Sequence, residues 1–356
     1  MNSDDFYKLW LAAVDIPNEL KLYLKKTFAD EKKIYDFYKG ISGYSGDYKH
    51  TNKITSVCDD EVYNLMENLE RNSISFTVYK DPDYIKTLME SEVINPPYIL
   101  FYKGQYNNFF KKRSISIVGT RRPTSLGIQI TELITIELVK NDIATVSGGA
   151  YGIDTVAHKC TLEHDGSTCA VLGCGLNVIY PKTNRKLYHD ITEKGVLISE
   201  FLPDTPPYAY NFPRRNRIIS ALGDSLIITE AADKSGSLIT AGYSLELNKE
   251  IICVPGSPLL QNSKGCNMLI RDGASVLTEV EDLYTLLRIS RNKGKASNYS
   301  GNKAIILDHI GKTPIHINEL IEKCNIDINA IYGILFELQL EKEVISLNGN
   351  YFARIS

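Results

Sequence analysis

Six short apolar runs alternate with segments of helical periodicity between about Ile115 and Leu287. Each run is rich in β-forming residues and ends in small residues. Continuous apolar strands joined by helices are typical of a parallel sheet that is covered on both faces. The middle of the chain is therefore predicted to fold as a doubly wound parallel sheet of the α/β class. The runs are SISIVGT, ATVSGG, TCAVLGCG, VLISEF, SLIITEA and EIICVPG.

The segments on either side of these runs have different patterns. Residues 1–90 carry apolar residues at helical spacing and are predicted to form a small helical domain, followed by the sheet domain over 91–289. Residues 290–302 have little apolar content and are interpreted as a linker. Residues 303–356 predict three helices and a hairpin around Asn348-Gly349, the arrangement of a winged helix.

Composition limits the kinds of function. The 356 residues have a net charge of only −3, so any anion site must be local. The start MNSDDFYKLW lacks the pattern of a signal peptide, and no run of about eighteen apolar residues appears, so a cytoplasmic location is expected. The seven cysteines are scattered without a Cys-x-x-Cys pair, which favours reduced thiols over a zinc ribbon.

In doubly wound sheets, ligands bind outside the carboxyl ends of the strands. The first strand exit, VGTRRPTSLG, combines Gly119 with Arg121 and Arg122 ahead of a helix that begins near Ser125. Helix N–H groups and guanidinium groups could converge there on a phosphate. A tight turn with two solvated arginines is an equally good explanation of this segment.

The second exit, SGGAYGID, is predicted to bind an anion. Ser147, Gly148 and Gly149 could form a concave nest of backbone donors before a helix that begins near Asp154. His158, one turn into that helix, is expected to have a packing or capping role. A purely structural turn is the alternative for the glycines.

Later exits add further basic residues. Lys182 and Arg185 follow the third run, and Lys264 and Asn267 follow the last one. Ser235-Gly236-Ser237 resembles another anion cradle at a helix start. Two nucleotide motifs are excluded: Ile306 replaces the first glycine of a P-loop at Gly311-Lys312-Thr313, and GCGLNV lacks the third glycine of the dinucleotide fingerprint.

The segment NFPRRNRIIS concentrates charge beside an aromatic residue. A helix is predicted to begin after Pro213, with Phe212 just outside it and free to stack on a base. Arg214 and Arg217 would share one helix face, so that one arginine pairs internally while another reaches the ligand. The alternative is a salt-bridged helix with Phe212 in the core.

Eight motifs in this order resemble the bacterial DNA-processing protein A family, also called the Smf or DprA family. The motifs are VGTRRP, SGGAYGIDTVAH, VLGCGLNVIYPKTNRKL, SEF, NFPRRNRIIS, EAADKSGSLITA, VPGS and KGCNMLIRDGA. The resemblance implies an extended Rossmann-like sheet between a small helical (SAM-like) N-terminal domain and a C-terminal winged helix. It also implies binding of single-stranded DNA, homodimer formation, and loading of a RecA-type recombinase in natural transformation and homologous recombination, with no cofactor and no known catalysis.

The resemblance also implies a DNA-binding pocket, carried over position by position. Its residues are Gly119, Arg121, Ser147, Gly148, Lys182, Phe212, Arg215, Asn216, Arg217, Lys264 and Asn267. Tyr151 departs from the family, which most often has arginine there, so a charge is lost and a ring is gained. The second long helix of the winged helix, DINAIYGILFELQLEKE, is acidic and apolar, so this domain is expected to contact protein, either a partner or its own dimer mate, and not duplex DNA.

Two other functions stay open from the sequence. A Rossmann enzyme of the lysine-decarboxylase-like phosphoribohydrolase group would use Glu230 as a catalytic carboxylate. That group's Pro-Gly-Gly-x-Gly-Thr-x-x-Glu segment is absent, because the nearest candidate reads VPGSPLLQ. A nucleotide sensor would bind a mononucleotide tightly and use the winged helix as its effector.

Overall fold

The computed structural model describes residues 3–28, 30–40, 51–90, 95–289, 301–311, 313–324, 326–341, 343–347 and 349–354. The chain divides into two compact units, Met1–Ser290 and Arg291–Ser356. Most of the predicted linker, residues 290–302, lies outside the described residues. No helix in the described ranges is both long and apolar enough to cross a membrane.

The first unit begins with a group of helices around Trp10, which is fully buried together with Leu9, Ile34 and Leu69. Helices α1, α2 and α5 lie within residues 1–90, where the helical spacing of apolar residues predicted helices. Lys8 Nζ bonds Asp81 at 2.8 Å, and the amide of Tyr98 donates to Asn18 Oδ1 at 2.8 Å, so these helices are attached to the sheet. The helices are α1 Ser3–Ala13, α2 Asn18–Phe28, α3 Glu31–Gly40, α4 Thr51–Ser56 and α5 Asp59–Arg71.

The sheet of the first unit has nine strands in the order β1-β2-β6-β5-β4-β3-β7-β8-β9 within the described residues. The pairs from β6 to β9 along this order are parallel, whereas β1–β2 and β2–β6 are antiparallel. The predicted doubly wound sheet is confirmed, with an antiparallel edge added. The strands are β1 Ser75–Val78, β2 Ile99–Gly104, β3 Ser114–Val118, β4 Ala144–Ser147, β5 Thr168–Val171, β6 Val196–Ser199, β7 Ser225–Ile228, β8 Glu250–Cys253 and β9 Ser275–Val276.

Helices cover both faces of this sheet because successive strand residues point to opposite sides. Ile227 packs in the same cluster as Ile134 of α8, whereas Ile228 packs in the cluster that contains Ile218 of α11. Two short 3₁₀ turns, Lys182–Asn184 and Gln261–Ser263, precede α10 and α13. The helices are α6 Lys86–Glu90, α7 Tyr106–Phe109, α8 Ser125–Lys140, α9 Ile153–Glu163, α10 Arg185–Lys194, α11 Asn211–Leu222, α12 Gly236–Glu246, α13 Lys264–Arg271 and α14 Asp282–Leu286.

The expected domain boundary at residue 90 does not match this architecture. Strand β1 lies before that boundary, yet it pairs with β2, with Val78 opposite Ile99. The helices and the sheet also belong to one compact unit. The sheet domain therefore begins at Ser75, and the N-terminal helices pack on it as an extension.

The second unit is a winged helix, as the sequence predicted. Three helices are followed by a hairpin in which Gly349 and Asn350 have φ values of 83° and 61°. Asn348, the other predicted turn residue, lies outside the described residues. The elements are α15 Asn302–His309, β10 Ile315–His316, α16 Ile317–Cys324, α17 Ile328–Leu340, β11 Val344–Leu347 and β12 Tyr351–Arg354, with sheet order β10-β12-β11.

Candidate nucleic-acid interface

Exposed basic side chains gather at the carboxyl edge of the large sheet. The chain runs outward from β3 through β4, β5 and β6 and then returns to β7 on the other side, so the crevice of this sheet opens beside β3. Within the described residues, none of these cations forms an ion pair. They are Arg121 and Arg122 after β3, Lys182 and Arg185 after β5, and Lys264 after β8.

Phe212 lies against one of these cations and one further aromatic ring. The guanidinium carbon of Arg121 lies 5.6 Å from the centre of the Phe212 ring, and the ring of Tyr180 lies 5.5 Å from it at 48°. Gly173 makes room for this ring, because a Cβ there would lie 2.7 Å from Phe212 Cδ1. We call the five cations together with Tyr180 and Phe212 the strand-end surface.

Helix α11 begins at Asn211, three residues before the predicted start after Pro213. Pro213 is compatible with this position because the N–H groups of a first helical turn have no partner within the helix. Phe212 therefore lies inside the helix and is half-buried. The helix fixes its backbone, and the side chain remains partly exposed.

Arg215 has a different position from the one expected of a phosphate ligand. Only 3% of its surface is exposed, and Nη1 donates to the carbonyl oxygens of Gly148 and Val171. These contacts join α11 to the ends of β4 and β5. Ser147 is also buried, and its hydroxyl donates to the carbonyl of Ile117 at 2.7 Å.

The predicted anion nest after β4 is occupied by a side chain of the protein itself. Asp154 Oδ2 accepts the amide N–H groups of Gly148 at 3.2 Å and Ala150 at 3.3 Å. Burial raises the pKa of the Asp154 carboxyl above its usual value, and the positive charge of Arg215 opposes this rise. The expectation that these donors hold an external anion is therefore wrong for this structure.

Arg217 also has an internal partner. Its Nη2 donates to Glu200 Oε2 at 2.6 Å, and Arg214 Nη2 lies 3.1 Å from the same oxygen, so these two arginines share a face as the sequence predicted. Asn216 donates to the carbonyl of Gly236 at 3.2 Å. The side-chain amide of Asn267 exchanges two hydrogen bonds with the backbone of Gly256.

The predicted pocket residues therefore separate into two groups. Arg121, Lys182, Phe212 and Lys264 reach the surface, whereas Ser147, Gly148, Arg215 and Arg217 are buried. Gly119 shapes the first exit, since a Cβ there would lie 2.6 Å from Ile153 Cγ1. Arg122, Arg185 and Lys234 are exposed at the same edge but were not among the residues carried over, although each follows a strand run in the sequence.

Two potential catalytic groups have structural roles. The Glu230 carboxylate accepts the amide N–H of Thr124 at 2.9 Å and also its hydroxyl, at the residue that caps α8. His158 is buried, and burial lowers its pKa to about 3, so the imidazole is neutral. His158 Nδ1 lies 2.7 Å from the hydroxyl of Thr168, which agrees with the expected packing role.

Two family models match this sequence. The model described as DNA recombination-mediator protein A covers residues 75–288, and that of the DprA winged helix domain covers residues 295–350. Protein Smf of Synechocystis sp. is 40% identical over 228 residues, which are 63% of this chain and 57% of that protein. The chain thus spans little more than half the length of this relative.

Solved structures agree with the family models. The X-ray structure of DNA processing protein A from Streptococcus pneumoniae is 32% identical, has a TM-score of 0.68, and covers 80% of this chain and 98% of its own. A structure of DNA processing protein A from Helicobacter pylori, described as giving insights into a single-stranded DNA binding mode, is 32% identical with a TM-score of 0.53. It covers 60% of this chain and 96% of its own.

Proposed function

This chain belongs to the DNA recombination-mediator protein A family, and we propose on that basis that it is a DNA-processing protein whose strand-end surface binds single-stranded DNA. The observation that carries this proposal is the group of five exposed cations without an ion pair at the carboxyl edge of the sheet in the described structure, one of which, Arg121, lies against the ring of Phe212. The Helicobacter pylori relative, whose structure concerns single-stranded DNA binding, supports the choice of ligand.

The proposed mechanism combines charge neutralisation with stacking. Arg121, Arg122, Lys182, Arg185 and Lys264 neutralise phosphates, and each contact contributes about −0.7 to the salt slope of single-strand binding. Phe212 and Tyr180 offer ring surface to bases, and exposed Tyr151 can add a third ring where the family usually has a charge. Because rings and phosphate contacts do not discriminate between bases, sequence preference should be weak.

The buried members of the predicted pocket support this surface without touching DNA. Arg215 ties Phe212's helix to two strand ends, and Asp154 holds the backbone of the glycine turn. A buried guanidinium with two carbonyl partners cannot reach a phosphate without breaking both bonds. We therefore assign Arg215 a positioning role and restrict direct contact to the exposed side chains.

The larger biological role is part of the same proposal. The chain is proposed to protect incoming single strands and to load a RecA-type recombinase onto them in natural transformation. Exposed Leu259, Leu260 and Met268, near the start of α13, support formation of a homodimer. A cytoplasmic location fits the seven cysteines, none of which forms a disulfide.

The winged helix is proposed to contact protein. Helix α17 exposes four apolar side chains spaced four residues apart: Ile328, Tyr332, Phe336 and Leu340, which are 46%, 45%, 61% and 70% exposed. The helix contains no lysine or arginine. An apolar, uncharged stripe matches another protein surface and lacks the positive charge that a phosphate backbone requires.

A binding titration tests the central proposal. A fluorescent oligo-dT and a duplex of equal length are titrated with the full chain over a series of salt concentrations. We expect the single strand to bind well above the duplex, with affinity falling as salt rises. Equal affinity for both, or affinity independent of salt, would contradict a phosphate-binding surface for single strands.

A further inference from the structure

A cavity of about 610 Å³ lies between the N-terminal helices and helices α11 and α12. Its walls contain Arg214, Arg217 and Tyr243 on one side and Pro17, Asn18, Glu19 and Asn95 on the other. This volume is typical of sites for small organic ligands. The cavity is not part of the strand-end surface, because Arg214 and Arg217 face Glu200 whereas Phe212 and Arg215 face the ends of β4 and β5.

The wall contributed by the N-terminal segment is fixed in position. Asn18 Nδ2 donates to Asn95 Oδ1 at 2.7 Å and lies 2.8 Å from the carbonyl of Pro96. Asn95 Nδ2 in turn donates to the Glu19 carboxylate. These bonds hold this wall of the cavity in place without a ligand, so that little ordering of it is needed on binding.

The arginine wall contains an unmet donor. Arg217 is 5% exposed, and its Nη1 has no hydrogen-bond partner in the described structure. Glu200 Oε1 is likewise buried without a partner, because both arginines use Oε2. A buried polar group without a partner is costly, so a ligand that supplies an acceptor here would bind favourably.

Arg214 and Arg217 supply positive charge on one side of the cavity, whereas Glu200 beside them and Glu19 on the other side are acidic, so an anion is favoured at the arginine wall alone. Arg214 and Arg217 share one carboxylate oxygen, and the amine of Lys21 lies nearby, where it donates to the carbonyl of Ala12 at 2.6 Å. Burial, with a further contribution from the positive charge of Arg214, lowers the pKa of Lys21 to about 8. Paired guanidinium groups match the geometry of phosphate oxygens.

We propose that this cavity binds a nucleoside monophosphate, with its phosphate on Arg214 and Arg217 and its base against the ring of Tyr243. The Glu19 carboxylate can accept a ribose hydroxyl. The half-exposed ring of Tyr243 and the apolar edge of Pro17 give the base a surface for stacking. The proposal does not depend on how the strand-end surface binds DNA.

Calorimetric titration of the full chain with AMP tests the proposal, with inorganic phosphate and adenosine as partial probes. We expect AMP to bind at one site per chain, and Arg214→Gln and Tyr243→Ala each to weaken it roughly tenfold or more. Tyr243→Ala leaves the Glu200 ion pairs intact, so weaker binding by this variant cannot be attributed to misfolding caused by the loss of those pairs. Arg271→Gln, an exposed arginine with an acidic neighbour, is the matched control and should bind AMP as the wild type does.

Several results would overturn the proposal. No heat with millimolar AMP, or equal affinity in Arg214→Gln and Tyr243→Ala, would exclude a nucleotide in the cavity. Loss of AMP binding in Arg121→Ala would place the nucleotide on the strand-end surface instead. If inorganic phosphate binds as tightly as AMP, the base contributes nothing to binding and the ligand is not a nucleotide. If both cavity variants lose affinity for oligo-dT, the cavity is part of the DNA-binding site.

Discussion

The guanidinium carbon of Arg121 lies 5.6 Å from the centre of the Phe212 ring, which places an exposed cation against an aromatic ring. The two residues are far apart in sequence and come from different elements. Arg121 follows β3, whereas Phe212 belongs to the first turn of α11. Their contact permits separate tests of the charge and of the ring.

Replacing the ring and replacing the charge should have different signatures. Phe212→Leu should weaken oligo-dT binding roughly tenfold without changing the salt slope, since stacking contributes about 1–3 kcal/mol per base. Arg121→Gln should reduce the salt slope by about 0.7, because one phosphate contact is lost. Fluorescence anisotropy over a salt series measures both quantities.

Lys194→Gln is the control for these variants, because Lys194 lies at the opposite edge of the sheet and pairs with Asp165. It should bind DNA as the wild type does. If Phe212→Leu and Arg121→Gln also bind as the wild type does, the strand-end surface is not the DNA site.

Removing Arg215 should destabilise the fold. Arg215→Met leaves the carbonyl oxygens of Gly148 and Val171 without their donor and removes the positive charge near the buried Asp154 carboxyl, and a buried polar group left without its partner typically costs about 1–3 kcal/mol. Adding Asp154→Asn should recover part of this loss, since the uncompensated charge disappears. Urea unfolding of both variants measures the effect. A folded, fully stable Arg215→Met that loses only DNA affinity would show a direct contact instead.

Stability should fall as the solution is acidified from about pH 6.5. Burial lowers the pKa of His158 to about 3, below its usual value. The stability that the protein gains from keeping this imidazole neutral is therefore fully present above pH 6.5 and is lost as pH falls towards 3. At pH 5 this loss amounts to about 2 kcal/mol. Urea unfolding of wild type and His158→Gln between pH 7 and 5 should show a weaker pH dependence in the variant. Parallel profiles would assign the acid sensitivity to other groups.

The winged helix should be dispensable for DNA affinity. Deletion of residues 300–356 is expected to change oligo-dT affinity by no more than a fewfold, because α17 carries no cation. Phe336→Asp in the full chain should likewise leave DNA binding intact while it weakens any protein contact of the exposed stripe. Anisotropy measures the first effect and analytical ultracentrifugation the second. A collapse of DNA affinity in the deletion would show that this domain contacts DNA.

Glu230 should have no catalytic role. The full chain incubated with AMP should release no adenine, because both carboxylate oxygens are bonded to Thr124. Glu230→Gln should instead lower the unfolding free energy by about 1 kcal/mol through a weaker start of α8. Chromatography of the incubation mixture measures base release. Adenine release by the wild type that Glu230→Gln abolishes would establish the phosphoribohydrolase alternative.

Local patterns determined most of the secondary structure. The six apolar runs correspond to strands β3 to β8. A strand that is buried on both faces is apolar along its whole length, so it can be predicted from its own residues alone. The exposed residues Arg121, Lys182 and Lys264 were also predictable, since glycine-rich strand exits place them at one edge of the sheet. The winged helix followed from helical spacing and a hairpin turn.

Tertiary structure alone decided which side chains of the candidate site are free. The sequence could not show that the Asp154 carboxylate folds back onto the donors of the glycine turn, or that Arg215 points to the carbonyls of β4 and β5. It also did not reveal β1, whose pairing with β2 joins segments on either side of α6. Periodicity reports which face of a helix is apolar, whereas the rotation of α11 against the sheet fixes whether each arginine meets a carbonyl, a carboxylate or solvent. That rotation is set by packing between residues distant in sequence.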